Sequence, residues 1–400
     1  MRTLCWYFQV HQPFRLRHYS LFDIGNSQDY FDEHKNREVM KKVAQKCYLP
    51  MNALLLKLIQ RHGDAFNVSF SISGTALDQF EQYAPEVLES FKQLVATGNV
   101  ELLSETYYHS LSFLYDKKEF DEQVIKHRTR IKELFDYEPT VFRNTELIYS
   151  NEVAQHAAAM GYKAILAEGA DHALNGKSPN YVYTPQGADI KLLLKNYQFS
   201  DDIAFRFSNK GWKEHPLTVE KFAGWLDAVM GDSVNLFMDY ETFGEHQWED
   251  TGIFKFMEAL PSTLLPLGTR FITPNELATT PPRETLDIPF TMSWADVERD
   301  LSAWLGNKMQ LDAIERLYAL KAGVFKTGNP ALIETWRKLT TSDHFYYMCV
   351  KWFSDGDVHK YFNPYDSPYD GFIIFMNVLN DLALRVENAQ EKTWLTIGGD

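Results

Sequence analysis

The stretch FRNTELIYS, residues 142–150, closes a short apolar run (TVF, 140–142) and leads into a segment with helical spacing at 150–160. An apolar run, a polar turn and then a helical period together read as one βα unit. The turn carries Arg143, Asn144, Thr145 and Glu146, so a carboxylate stands directly past the end of the expected strand. Working outward, the alternation recurs: LCWYFQV (4–10), NVSFSIS (67–73), NVELL (99–103), AILAE (164–168), KLLLK (191–195) and VNLFMD (234–239) read as strands. Segments 38–61, 76–96, 118–135 and 217–230 carry helical spacing between them. Such alternation predicts βαβ crossovers and a buried parallel sheet. The expected fold class is therefore α/β, a seven-stranded (β/α) barrel of parallel strands, with an open doubly wound sheet as the other solution.

The pattern changes near residue 280. TTPPRETLDIP is a proline-rich connector, and after Trp294 the chain reads helical almost throughout, including ADVERDLSAWLGNKMQ, PALIETWRKL, SDHFYYMCVKWF and DGFIIFMNVLNDLALRVENA. Residues 1–289 are expected to form the barrel and 290–400 a helical C-terminal subdomain.

Composition narrows the function. A formal net charge of −14 disfavours nucleic acid and anionic membrane as partners, since both repel such a surface. Aromatic residues make up 14% of the chain, which suits either stacking on sugar rings or a phenylalanine-rich core. Cys5, Cys47 and Cys349 are odd in number and far apart, so a disulfide framework is not expected and a reducing compartment is. With too short an N-terminal apolar run for a secretory signal and no membrane-length stretch, the cytoplasm is the expected location.

Chemistry belongs where parallel strands end. The first strand runs into His11 and Gln12, the third into Glu101, Glu105 and His109, the fourth into Glu146, and the seventh into Asp239, Glu241, Glu245 and His246. Glu146 and Asp239 each follow a strand, so the fold can bring them to one mouth. Two carboxylates across a sugar linkage are what glycosidic cleavage uses, one as acid for the leaving oxygen and one as nucleophile or base. Either residue could instead cap a helix or face solvent. Arg143 and Asn144 could favour an ionised Glu146, while an acid set straight after the apolar run of FMDYETFG would hold its proton through burial. Asp201, Asp202 and Arg206 read as a structural ion pair or as sugar ligands; Trp212, Trp248 and Trp304 read as stacking platforms or as core.

Taken together, HQP, GNVELL, FRNTELIYS, MDYETFGEH and SWADVERDLSAWLGNKMQ resemble the five sequence regions of glycoside hydrolase family 57, in order, from residue 11 to about 310. The family comprises α-amylases, 4-α-glucanotransferases and related α-glucan enzymes. The resemblance implies a seven-stranded (β/α) barrel followed by a helical subdomain, and looks closest to the α-amylase-like members. Position by position it implies Glu146 as nucleophile and Asp239 as general acid/base. His11 would line the subsite at the cleaved bond and Glu101 would organise the site. Trp294, Asp296, Asp300 and Trp304 would let the helical subdomain wall the cleft, with Asp296 and Asp300 on one helical face. Gln12, His109, Arg143 and His246 complete the candidate substrate contacts. The implied substrate is an α-glucan or maltooligosaccharide, with no cofactor or metal.

Three rival classes meet the same residues. A metal-dependent carbohydrate deacetylase needs clustered histidines, whereas here the nearest two are His11 and His18. A nucleotide-binding loop at NGKS (175–178) lacks its first glycine, because Asp171 stands there. A non-catalytic glucan-binding protein predicts binding without turnover.

Overall fold

A computed structural model describes residues 2–351 and 363–397, with the side chains of Arg2 and of residues 391–397 left out; Trp352 and Phe353, the end of one expected helix, lie outside the described residues. Among the described residues ten strands form: β1 (Arg2–Val10), β2 (Val68–Ile72), β3 (Val100–Leu102), β4 (Val141–Arg143), β5 (Ala164–Glu168), β6 (Thr184–Pro185), β7 (Lys191–Lys195), β8 (Val234–Asp239), β9 (Thr269–Ile272) and β10 (Thr285–Leu286). All seven strands expected from the sequence are present; β6, β9 and β10 were not anticipated.

The strands do not close into one seven-stranded barrel. β3, β2, β1 and β8 lie side by side in an open parallel sheet, with β9 as fifth strand also paired to β1, while β4, β5 and β7 form a separate parallel sheet. β3 and β4 are only three residues long, too short to sustain a ladder, and the two sheets meet there through a single parallel bridge, Ser104 to Phe142. At the other margin, between β7 and β8, the Asn235 amide reaches the Leu194 carbonyl at 2.8 Å and Asn196 N–H reaches the Asn235 carbonyl at 2.9 Å. The result is an α/β fold with an open, curled parallel sheet, followed by a helical region.

The curl follows from side-chain period. On β1, Cys5 and Tyr7 face one way and Trp6 and Phe8 the other. Cys5 and Tyr7 join Val141, Ala164, Leu166, Leu193, Phe237 and Ile272 in one buried cluster, so the concave side is filled by residues from most of the strands. On the opposite face Phe8 packs on Phe70 at 5.4 Å and on Tyr240 at 5.0 Å. Both faces are covered, which is why these strands read as continuous apolar runs. Much of the aromatic content is therefore core.

The helices match their expected segments with informative breaks. The 76–96 segment divides into Gly74–Tyr83 and Pro85–Ala96, because Ala84 precedes a proline and leaves helical geometry. Segment 38–61 is interrupted by a wide π turn at Ala44–Tyr48.

The chain forms two compact units: Met1–Gln12, Glu38–Thr106 and Val124–Trp294 in the first, and Pro13–Arg37, Tyr107–Gln123 and Ala295–Asp400 in the second. The first holds all ten strands. In the second, the helices Lys308–Lys326, Pro330–Leu339 and Pro368–Ile397 dominate. Within it, buried Asp381 receives the Gly25 N–H at 2.6 Å and pairs with Arg385 at 2.5 Å, tying the 13–37 excursion to the last helix. Glu119, also buried, pairs with Arg337 at 2.9 Å.

The fifth-region helix expected through Asp296 and Asp300 is absent. Asp296 (φ 55°) and Arg299 (φ 50°) are left-handed, and helix starts only at Ser302, where Asp300 accepts the Ser302 N–H at 2.8 Å. Asp300 thus acts as a local turn residue, competing with the helix for backbone groups, and the two acids do not share a helical face.

Candidate active site

β4 delivers Glu146 through a turn bonded at both ends. Asn144 Nδ2 donates to the Ile148 carbonyl at 3.0 Å, Thr145 shares a hydroxyl contact with Thr106 at 2.8 Å, and Tyr149 and Met292 exchange backbone hydrogen bonds at 2.9 Å. Between these anchors Glu146 (φ 57°) and Leu147 (φ 50°) both adopt left-handed geometry. Each such residue costs about 1 kcal/mol or more, and the turn persists because its surroundings fix it. Trp294 then grips the carboxylate: its indole N–H donates to Glu146 Oε2 at 2.7 Å, and its backbone N–H donates to the Glu146 carbonyl at 3.2 Å. The Arg143 guanidinium carbon lies 5.0 Å from the Trp294 ring centre and the Lys195 ammonium 5.5 Å from it. Glu146, Arg143 and Trp294 are thereby brought together.

β8 delivers Asp239, in register with Gln9 of β1. The following YETFG segment turns its aromatic residues inward. Tyr240 and Phe243 are fully buried, the Tyr240 hydroxyl donates to Asn52 Oδ1 at 2.6 Å, and Cys47 Sγ donates to the Tyr240 carbonyl at 3.1 Å. The π turn at Ala44–Tyr48 supports this loop, a use common for such turns. Gly244 (φ 109°) sits so close to the turn that an added Cβ would lie 1.9 Å from the Lys46 carbonyl oxygen. Gly244→Ala should therefore destabilise the fold by ~2 kcal/mol or more and misplace Asp239, read as a lower melting temperature and a lower kcat together.

A buried polar row runs along β1 and ends at Glu105. The Tyr7 hydroxyl donates to Gln9 Oε1 at 2.9 Å and contacts Ser71 Oγ at 2.6 Å, and Gln9 Nε2 donates to Glu105 Oε1 at 3.4 Å. Glu105 and Arg143 are fully enclosed, 3.9 Å apart. Burial, outweighing the nearby Arg143 charge, holds the Tyr7 phenol well above its usual range, with Glu105 and Asp239 adding to the rise.

Asp239 itself is only partly buried; the fully enclosed carboxyl lies two residues on, at Glu241. Desolvation, then the Asp239 charge, pushes Glu241 from an ordinary 4.5 to about 8, against the hydrogen bond it accepts from Tyr48. A carboxyl that keeps its proton in the folded state but loses it in the unfolded one makes stability fall as pH rises from about 4.5 toward 8. Glu241→Gln lacks that proton equilibrium. Its stability relative to wild type should improve across that window by a few kcal/mol, measured by denaturant unfolding at pH 5 and pH 8.5.

His11 Nδ1 contacts Ser73 Oγ at 2.7 Å past the end of β2, and Gln12 reaches Tyr48 and Glu241 with its side chain. The His246 backbone N–H donates to the Glu241 carbonyl at 3.0 Å, and burial lowers its imidazole to about 4, so the ring is neutral. Glu101 goes elsewhere. It receives the Asn275 N–H at 2.8 Å just past β9, and desolvation raises it to about 7, so its carboxylate caps a short helix. Its side chain is committed to that cap, not to the Glu146 and Asp239 turns. Asp202 pairs with Arg206 at 2.6 Å, a structural contact.

His109, Asp296, Asp300 and Trp304 belong to the second unit. His109 (φ 49°) gives its carbonyl to Ser342 N–H at 2.9 Å. Trp304 is 1% exposed and packs 6.3 Å from Tyr346, so its ring is core and no open platform. Trp248 is 54% exposed, with the Lys46 ammonium over its ring 4.9 Å from the centre. Sequence reasoning passed over Tyr7, Gln9 and His127. The two polar groups at i, i+2 in LCWYFQV were the available signal for an inward polar row on β1.

Comparisons with known proteins show the family and the fold. The family model described as glycosyl hydrolase family 57 matches residues 5–289. A protein of Methanocaldococcus jannaschii named "Putative alpha-amylase" is 42% identical over 402 residues, covering 96% of this chain and 85% of its own length. Two solved structures share the fold. One is a 4-alpha-glucanotransferase from Thermococcus litoralis, with TM-score 0.65, 15% identity and 86% of this chain covered; this chain spans 56% of that enzyme's length. The other is a branching enzyme from Thermococcus kodakaraensis, with TM-score 0.64, 12% identity, and 87% and 86% of the two chains covered. Among the described residues no helix is long and apolar enough to cross a membrane. The family match spans most of the chain, including both acid-bearing turns, and the chain belongs to glycosyl hydrolase family 57.

Proposed function

We propose that this chain is an α-glucan-active, retaining glycosidase of the α-amylase type, cleaving α-1,4-glucosidic bonds by double displacement. The observation that carries the reading is Glu146, held in a strained left-handed turn with Trp294 N–H on its carboxylate at 2.7 Å, because strain of this kind collects at functional residues. The name of the 42%-identical relative supports the amylase assignment. The names of the two fold neighbours keep glucan transfer and branching as variants of the same chemistry.

In the first step Asp239 gives its proton to the glycosidic oxygen as Glu146 attacks the anomeric carbon; the C–O bond to the leaving sugar breaks and an ester to Glu146 forms. In the second, Asp239 takes a proton from the acceptor, whose oxygen displaces Glu146. The Trp294 N–H favours Glu146 as the carboxylate. Protonated Glu241 adds no second negative charge near Asp239. His11, Gln12 and neutral His246 are the proposed sugar-hydroxyl contacts from the strand unit. For His109, Asp296 and Asp300 a substrate role rests on the sequence alone.

The acceptor decides the product: water gives hydrolysis, and another glucan's hydroxyl gives transfer. Incubation with maltoheptaose and product analysis tests the assignment. Shorter sugars only are expected; longer ones reassign the chain to transfer, and no change with any α-glucan removes the catalytic reading.

A further inference from the structure

The last residue of β4 and the second acid of the ELLSETYYHS segment after β3 form an unusual pair. Arg143 and Glu105 have no exposed surface, and their nearest approach, Nη1 to Oε2 at 3.9 Å, is beyond hydrogen-bond range. Among the described residues, none of the three Arg143 guanidinium nitrogens has a hydrogen-bond partner. A buried pair kept for stability alone gains most from direct, bidentate contact. This one is held apart.

What surrounds the pair suggests another task. Glu105 is fixed from two sides: Gln9 Nε2 donates to its Oε1 at 3.4 Å, and its backbone N–H donates to His127 Nδ1 at 3.4 Å. His127 Nε2–H donates to the Ile72 carbonyl at 2.8 Å, and burial lowers the ring's proton affinity, so His127 is neutral. Arg143 lies 5.0 Å from the Trp294 ring centre, and that ring's N–H ends on Glu146. Lys195 also lies against Trp294, but Glu168 at 3.4 Å and Asp201 at 3.3 Å oppose its charge.

We propose that Glu105 and Arg143 form a buried charge couple that sets the ionisation of Glu146 across the Trp294 indole, Arg143 favouring the carboxylate and Glu105 tempering it. Both are positioning residues that act through Trp294. The inference rests on Glu146 being the nucleophile. Of the groups joined to Glu146 through Trp294 and its two cations, Arg143, Lys195, Glu105, Glu168 and Asp201 are charged, and Tyr7 and His127, beside Glu105, are neutral.

The couple predicts shifts of opposite sign. Removing a nearby positive charge disfavours the carboxylate and removing a negative one favours it, each by about one pH unit at this range in a partly desolvated site. The experiment is a pH titration of the Glu146 carboxyl by carbon-13 NMR in glutamate-labelled protein, the signal being assigned by its loss in Glu146→Gln. Arg143→Met should raise the midpoint, Glu105→Gln should lower it, and the double variant should return near wild type. The acid limb of kcat/KM on an aryl α-maltooligosaccharide should follow in step. Glu105→Gln preserves volume and decides the matter if Arg143→Met fails to fold. A midpoint that stays put or rises in Glu105→Gln overturns the couple, as do single variants that shift the same way, which is what loosened packing alone would give. If Glu146→Gln itself keeps turnover, the nucleophile assignment fails instead, whatever the titration shows.

Discussion

Glu146→Gln is expected to lower kcat on maltoheptaose by ~10⁴-fold or more, the scale seen when a nucleophile is removed from an otherwise intact site. The amide is isosteric, and its oxygen can still accept the Trp294 N–H that now ends on Oε2. The left-handed turn is held by Asn144, Thr145 and the Tyr149–Met292 bridge, none of which involves the carboxylate. The melting temperature should therefore stay within a few degrees, and oligosaccharide affinity by calorimetry should be nearly unchanged. What is lost is the negative charge that makes the carboxylate oxygen a nucleophile. A variant retaining a tenth of wild-type turnover would take Glu146 out of the bond-forming step.

Asp239→Asn is expected to act differently on different substrates. General acid catalysis contributes ~10²- to 10⁴-fold where the leaving oxygen needs a proton, so cleavage between glucosyl units should fall by about that much. An aryl or fluoride leaving group departs without help, and the first step should there fall by ~10-fold or less. Release of the glycosyl-enzyme still needs a base, so intermediate should accumulate and azide should restore turnover as an azido sugar. Asp239 is half-open and in register with Gln9, so the amide should fit without repacking. Equal losses on both substrate types would remove the acid role.

The strands were legible because a parallel sheet covered on both faces writes itself as continuous apolar runs, and LCWYFQV, AILAE and VNLFMD are such runs. Closure was not legible. Whether seven strands make a barrel depends on ladders at β3–β4 and β7–β8, and three-residue strands leave no trace of their register in sequence. The placement of Glu146 past β4 could be read from the turn chemistry of FRNTE, but its left-handed backbone could not, since the partners that fix it include Thr106, Met292 and Trp294, far away in sequence. Glu101 was expected at the site because the third strand runs into it and GNVELL resembles the family's second region, whereas β3 turns its carboxyl to the Asn275 amide, a partner too remote in sequence to be read. The expected helix through Asp296 failed because Asp300 bonds forward to Ser302 and breaks the period.

β1 has β2 and β9 along one stretch or another and β8 along most of its length, so one segment near the start of the polypeptide is partner to residues 68–72, 234–239 and 269–272. That segment cannot satisfy its N–H and C=O groups along both edges until strands far along the sequence have formed. Slow folding follows from such non-local pairing, and the turn that carries Asp239 cannot be fixed until β8 has found β1.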